Sequence, residues 1–397
     1  MWKNALFIVF FGIIYYFCGV KEWKIDILTN SSALPQWTSE DFFHSRQLFL
    51  IYEQTPRHSP YMVLAKDEND TIVACLLAVV RARGTWIPPF VYWHCRIYGE
   101  GAYDERLDKV QKEEIFGCMI RAITQKMKLR AFYIELSNLS SKMFGYRELR
   151  SAGYFPVSWM SIHNSLHSKP AEDRISDKMK KRLSNAMKRG AHTEEASCDA
   201  DVDRFIKLLH NHNLLKPKRY IPANKFFHLI SRSEDCHLLL TKYNSKAIGC
   251  AALIYSKGNA YLWYSAFLRK TYMKLHPDDI TLWNAIKRAQ DDGCAHIVFL
   301  DVGLPFRRNS LRDFILRFGG KPMSTYRWFF LTNSWLNKLS RWLYRWWNCR
   351  KRAFFSIKIC IFEIKYIILQ SNFILITFKN SLPIEETIPK KIKKVYE

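Results

Sequence analysis

Two stretches of the chain carry the same run of apolar and polar positions. YMVLAKDENDTIVACLLAVV from Tyr61 and HLLLTKYNSKAIGCAALIYS from His237 align without gaps, setting Lys66 against Lys242, Ile72 against Ile248 and Leu77 against Leu253. Each reads as an apolar strand, a polar turn and a second apolar strand, a hairpin whose inner strand is buried on both faces. Further on, LRSAG at 149–153 answers LRFGG at 316–320. Between these markers each half predicts a helix and then a strand. In the first half, Ile115, Met119, Ala122, Ile123 and Met127 share one helical face and AFYIEL follows. In the second, Asp278 or Asp279 caps a helix with Leu282, Ile286 and Ala289 on one face, Gly293 ends it, and HIVFLD follows. The pattern predicts an α/β (α+β, mixed-sheet) protein made by duplication of one unit.

The flanks differ in character. Residues 5–20, ALFIVFFGIIYYFCGV, carry no charge and sit between Lys3 and Lys21. That is shorter than the roughly 20 residues of a comfortable span, and both a short signal-anchor and an upstream extension fit it. A polar junction around 168–177 leads into RISDKMKKRLSNAMKRG, where Lys178, Lys181 and Arg182 share a helical face, with Lys188 and Arg189 about two turns on. Such a cluster suits a phosphate, or is the solvated face of a linker helix. After Phe330, SWLNKLSRWLYRWWNCRKR sets Trp335, Leu339, Trp342 and Trp346 at helical spacing among Lys338, Arg341, Arg345, Arg350, Lys351 and Arg352. The stripe fits a membrane interface or packing onto the preceding domain. The expected organisation is a hydrophobic segment (1–21), a first unit (22–170), a second (171–330) and a basic amphipathic tail (331–397).

Charge narrows the partners. Of 397 residues, 61 are Lys or Arg and 36 Asp or Glu, a net +25 divided as +4 over 1–170, +12 over 171–330 and +9 over 331–397. The first unit is nearly balanced, so the anionic partner meets the second unit and the tail. Nucleic acid, phosphorylated metabolites and an acidic membrane surface all suit that balance, although no helix-turn-helix or single-strand-binding signature appears. The ten cysteines form no CxxC pair and several lie in apolar runs such as IVACLL and IGCAAL. Buried, reduced thiols of a cytosolic compartment are expected, with neither a zinc site nor a disulfide framework. His210 and His212 look like a metal pair, but residues two apart point to different faces of a helix.

The succession KKRLSNAMKRG, IGCAALIYSKGNAYLWYSAF, LWNAIKRAQDDG, VFLDVG and SLRDFILRFGG resembles the tandem acetyltransferase-like Fem group, including its BioF2-like relatives in cell-envelope gene clusters. The resemblance covers about residues 40–330 and is best from 174 to 328. It implies two GNAT-like (N-acyltransferase) units side by side, moving an acyl or aminoacyl group onto an amine, often of a peptidoglycan or surface-polysaccharide precursor bearing a diphosphate. The expected place is the cytoplasmic membrane face, with the protein peripheral to the inner membrane or anchored in it. Lys180, Lys181 and Arg182 match the family's basic helix, and Arg219 and Tyr220 its basic-aromatic pair; both would hold anionic oxygens of the acceptor. Tyr264 falls beside the substrate, and Trp86 and Tyr92, in TWIPPFVYWHCRIYG with Arg81, Arg83 and Arg96 around them, line the cleft. Asp301 and Gly303 match an Asp-x-Gly, where the acid orients the amine, accepts its proton, or simply bonds turn amides.

One departure concerns the donor. Where Fem-type enzymes carry Phe-Lys, this chain has Phe314-Ile315, and Arg312 and Arg317 are the nearest cations. That counts against aminoacyl-tRNA. The glycine-spaced phosphate loop of simple acetyltransferases is also missing from SAFLRKTYMKLHPDD, where Arg269, Lys270 and Lys274 are the phosphate-seeking residues, so acyl-CoA and aminoacyl-tRNA both stay open as donor. No permanently bound cofactor is expected. Transfer onto a nucleotide-linked amino sugar, or a basic nucleic-acid-binding protein with no activity, are the competing readings.

Overall fold

The computed structural model describes residues 23–36, 39–84, 90–140, 142–213 and 220–349, with a short pairing of Val9–Phe10 against Ile13–Ile14 ahead of them. Trp86, Arg219, the rest of the N-terminal segment and the tail beyond 349 lie outside the described residues. Two units are distinguished: one holds residues 1–85 and 89–333, the other residues 86–88 and 334–397.

Within the first unit the duplication is visible strand for strand. The first half runs β1 (Lys24–Leu28), α1 (Arg46–Gln54), β2 (His58–Lys66), β3 (Ile72–Gly84), β4 (Val91–Tyr98), α2 (Lys109–Met127), β5 (Tyr133–Ser137), α3 (Tyr146–Ser151) and β6 (Phe155–Ser165). After α4 (Asp177–Lys188) the second half repeats it. It runs β7 (His192–Glu195), α5 (Asp199–Asn213), α6 (Asn224–Ile230), β8 (Cys236–Tyr243), β9 (Lys246–Ser256), β10 (Asn259–Phe267), α7 (Pro277–Asp291), β11 (His296–Phe299), α8 (Ser310–Ile315) and β12 (Lys321–Leu331). The aligned lysines occupy equivalent places. Lys66 and Lys242 each follow a bulge in their hairpin, and each pairs with an acid at the same register of the neighbouring strand, Lys66 with Asp26 at 2.7 Å and Lys242 with Glu194.

The strands join one mixed sheet in the order β7-β8-β9-β10-β11-β6-β12-β5-β4-β3-β2-β1. The two last strands are exchanged. β6, which ends the first half, pairs with β11 of the second, while β12, which ends the second, pairs with β5 of the first; β6 and β12 pair with each other from His163↔Lys321 to Phe155↔Phe329. Tandem GNAT-like units therefore share one sheet.

Burial follows the same plan. α2 covers one face of the first half through Ile115, Met119, Ala122, Ile123 and Met127, and α7 covers the second through Leu282, Ile286 and Ala289. A third core, between α1, α5 and α6 and the inner faces of β2–β3 and β8–β10, is shared by both halves. Because their strands are covered on both faces, the apolar runs are nearly continuous. One expectation changes: neither Asp278 nor Asp279 caps α7. His276, at φ 45°, holds the cap position, Pro277 opens the helix, and both acids lie in the first turn.

Exchange puts Trp328 of β12, fully buried, into the core of the first half, where its Nε1 donates to Asn138 Oδ1 at 2.7 Å. Trp328→Ala is expected to cost about 3–5 kcal/mol in urea unfolding. Hydrogen exchange should rise more in α2 than in α7, although the residue belongs to the second half's chain; equal effects would contradict the strand assignment.

Candidate active site

The two halves differ at the parallel pair in their middle. In the first, β4 and β5 stay paired from His94↔Tyr133 to the end at Tyr98↔Ser137. In the second, β10 and β11 pair only from Asn259↔His296 to Leu262↔Phe299, and residues 263–267 of β10 run on past the end of β11. At that fork the register between β9 and β10 slips: Ala252 faces Tyr264 and Leu253 faces Leu262, so Trp263 is bulged out of the ladder. A bulge re-aims local backbone and side chains, and a fork between parallel strands makes room for a ligand beside them.

Beside the bulge lies a charged cluster drawn from both halves. The Trp263 ring meets Tyr98, at the end of β4, edge-on with centroids 5.7 Å apart. Arg96 lies over the Tyr98 ring at 4.2 Å, binds Glu135 of β5 at 2.6 Å and donates to Ser137 Oγ at 2.6 Å. Arg327, delivered by β12, binds the same Glu135 oxygen at 3.1 Å and also pairs with Asp301. Arg81 of β3 donates from Nε to His94 Nε2 at 2.8 Å and stacks over Tyr220 at 4.3 Å. Tyr220 in turn donates to His58 Nε2 at 3.0 Å, because His58 Nδ1 gives its proton to the Pro56 carbonyl at 2.9 Å. A narrow cleft with room for about one water reaches this cluster, lined by Phe43, Tyr52 and Leu77 on its apolar side and by Arg81, Arg96 and Tyr98 on the other.

Three buried guanidiniums against one buried carboxylate set the electrostatics. Burial alone would raise the Glu135 carboxyl, but Arg96, Arg327 and Arg81 outweigh it and bring it down to about 2. Burial would likewise raise the Tyr98 phenol, yet the charges of Arg96 and Arg81 bring it down to about 7. Burial and then Arg81 hold His94 neutral, at about 2, consistent with its accepting from Arg81. Burial also lowers Arg327, to about 10. The cluster thus combines excess positive charge with a phenol that ionises near neutrality.

The residues singled out from sequence fall into three groups. Asp301, Tyr220, Tyr264 and Tyr92 gather round the fork and cluster. Asp301 sits just past β11 at φ 67°, its carboxylate taken by Arg327, and Tyr264 is buried against Trp263 and Phe227. Tyr92 packs on Tyr133 and His94. A second group lies at the start of α7. Arg182 approaches Asp279 at 3.6 Å, Arg269 binds Asp278 at 3.3 Å, and Lys180 lies 3.9 Å from Asp177, while Lys181, Lys270 and Lys274 are exposed. His276, Asp278 and Asp279 could offer three ligand atoms within 4.8 Å of one another, but Arg182 and Arg269 already balance the two acids. The third group is α8. Arg312 donates to the carbonyls of Leu304 and Arg307, both at 2.9 Å, so it shapes the loop after β11, whereas Arg317 is exposed and Ile315 is buried. His210 and His212 turn to different partners, Asn224 Oδ1 and the Phe267 carbonyl.

Comparison with known proteins gives this geometry a class. Residues 177–308 match the acetyltransferase (GNAT) domain family. The match lies within the second half and ends before α8 and β12. No curated protein matches the chain. Among solved structures it is similar to FemX, with a TM-score of 0.55 at 11% identity over 78% of this chain and 96% of FemX. It is also similar to the C-terminal domain of a putative lysylphosphatidylglycerol synthetase from Agrobacterium fabrum, with a TM-score of 0.50 at 12% identity over 75% of this chain and 90% of that one. At such identities the likeness is one of fold. The GNAT match takes in the fork, and a GNAT domain is that of an acyltransferase, a fold that uses its acyl donor as a co-substrate.

Tyr98, Glu135, Trp263 and Arg327 escaped the sequence-based selection of site residues, and Arg81 and Arg96 entered it only as neighbours of Trp86 and Tyr92. A signal existed for three of them: VVRARG and WHCRIY place arginines, and YIELS a glutamate, inside runs otherwise apolar enough to be buried. Their convergence needs the tertiary fold.

Glu135→Gln leaves Arg96 and Arg327 without their buried acid and is expected to cost about 3–5 kcal/mol at neutral pH. The Glu135 carboxyl is depressed in the fold, from 4.5 to about 2, so its contribution is complete above about pH 4.5 and is lost as pH falls through about 2. The gap between wild type and variant in denaturant melts should close across that window; a gap unchanged by acid would disprove the pairing.

Proposed function

We propose that this protein transfers an acyl group from an activated ester or thioester to an amine on an anionic cell-envelope precursor at the cytoplasmic face of the membrane. The observation that carries the reading is the bulge at Trp263 where β10 parts from β11, beside a cluster of buried arginines. Backbone amides at such a fork polarise the acyl carbonyl and stabilise the oxyanion as the amine attacks, so positioning supplies most of the rate. Tyr98, in contact with Trp263 and held near neutrality by Arg96 and Arg81, accepts the proton of the incoming ammonium. Arg327 holds Asp301 at the mouth of the fork, where its half-exposed carboxylate orients the amine. Arg81, under the Tyr220 ring, supplies positive charge towards an anionic acceptor.

The donor side is narrower. GNAT donors with a diphosphate would seat it at the start of α7, by the helix dipole. Here Asp278 and Asp279 are buried in that turn, and burial together with Asp278 raises the Asp279 carboxyl. Arg182 and Arg269 balance these two acids, so a diphosphate of acyl-CoA would rest on the exposed Lys181, Lys270 and Lys274 beside them.

The test is native mass spectrometry of the whole protein with acyl-CoA, charged tRNA, nucleotide-linked amino sugars and lipid-linked precursors, followed by turnover of any pair that binds. Formation of an amide product is expected, and failure of every donor to bind or react would end the acyltransferase reading. Tyr98→Phe should leave KM nearly unchanged and lower kcat by about 10²–10⁴. It should also remove a tyrosinate absorbance that titrates near pH 7, whereas a purely structural Tyr98 would show neither the absorbance nor a change in the pH profile.

A further inference from the structure

The helix α9 (Ser334–Cys349) is described by itself, and its surface is divided lengthwise. Trp335, Trp342 and Trp346 are 58%, 60% and 44% exposed, while Leu336, Asn337 and Ser340 are buried. With 100° per residue, Trp335, Leu339, Trp342 and Trp346 fall within about 60° of one another, a single outward stripe. Lys338, Arg341 and Arg345 follow along one flank of it. The tryptophans thus share one exposed face of the helix over about three turns, and an exposed aromatic patch of that kind marks an interaction surface.

We propose that this face is a membrane-docking surface that lies in the headgroup layer of an anionic lipid bilayer, with the tryptophans inserted and the basic flank on the lipid phosphates. The chemistry selects that occupant. Indole is apolar in body and polar at its N–H, which favours the interface over both water and hydrocarbon. No described helix is long and apolar enough to cross a membrane, so α9 would lie on the surface. The cations beside the stripe match the negative potential of such a surface, and the segment from 331 to 397 carries +9. The inference deepens the proposed site of action but does not need the enzymatic reading to be right, because it is measured without substrate.

The experiment is co-sedimentation of the full chain with vesicles of phosphatidylcholine alone or with phosphatidylglycerol added, read together with tryptophan emission. Binding to the anionic vesicles, a blue shift on binding, and release by salt are expected. Trp335→Ala with Trp342→Ala, at exposed positions that leave the fold intact by circular dichroism, should weaken partitioning about tenfold per residue. Lys338→Glu with Arg345→Glu should abolish the preference for phosphatidylglycerol. Equal binding by wild type and the tryptophan variant would overturn the proposal, as would no binding to either vesicle. Retention on a soluble acidic polypeptide with none on vesicles would also overturn it, and assign the face to a protein partner.

Discussion

The ladder between β6 and β12 is the constraint on which the site depends. Each strand finishes its own half of the chain and is spent on the other, and their antiparallel pairing welds the halves into one sheet. Arg327 reaches Glu135 only because β12 lies against β5, and the loop carrying Asp301 comes within reach of Arg327 only because β11 lies against β6. Had each last strand stayed with its own half, Arg327 and the fork would lie in one sheet and Glu135 in another.

That junction concentrates an unusual charge. Arg96 and Arg327 share Glu135, and Arg81 has a neutral histidine and an aromatic face for its neighbours. A buried guanidinium keeps its charge, so the cluster lowers the proton affinity of whatever acid lies beside it, and the phenol of Tyr98 is that group. Stability and chemistry are thereby linked: the excess positive charge that weighs on the fold is what brings a tyrosine towards ionisation at neutral pH.

Duplication followed by divergence accounts for the division of labour. Lys66 with Asp26 and Lys242 with Glu194 keep the same scaffold pairing in both halves. The middle strands have parted company. The second half carries the bulge and the fork, whereas the first is closed to its end and contributes Arg81, Arg96, Tyr98 and Glu135 instead. In the proposed reading, the fork in one half and the charged wall from the other serve one site.

The hairpins around Lys66 and Lys242, the α2 and α7 faces, and a duplicated α/β unit were legible in the sequence because local periodicity and burial on both faces leave marks residue by residue, while GNAT-like units were implied by the family resemblance. Asp301, Tyr220 and Tyr264 were named through the family resemblance, and the fold places them near the fork and the charged cluster. The cations were harder to judge. Lys180, Lys181 and Arg182 were named through the resemblance to a basic helix, and Lys180 and Lys181 are exposed to solvent; the guanidiniums at the fork come from β3, β4 and β12, up to 246 positions apart between Arg81 and Arg327. Sequence determined the units, because each is built from contacts between near neighbours. Tertiary structure alone decided which charges meet, because the exchange of β6 and β12 is a choice between two pairings that present the same apolar pattern and differ only in what they bring together.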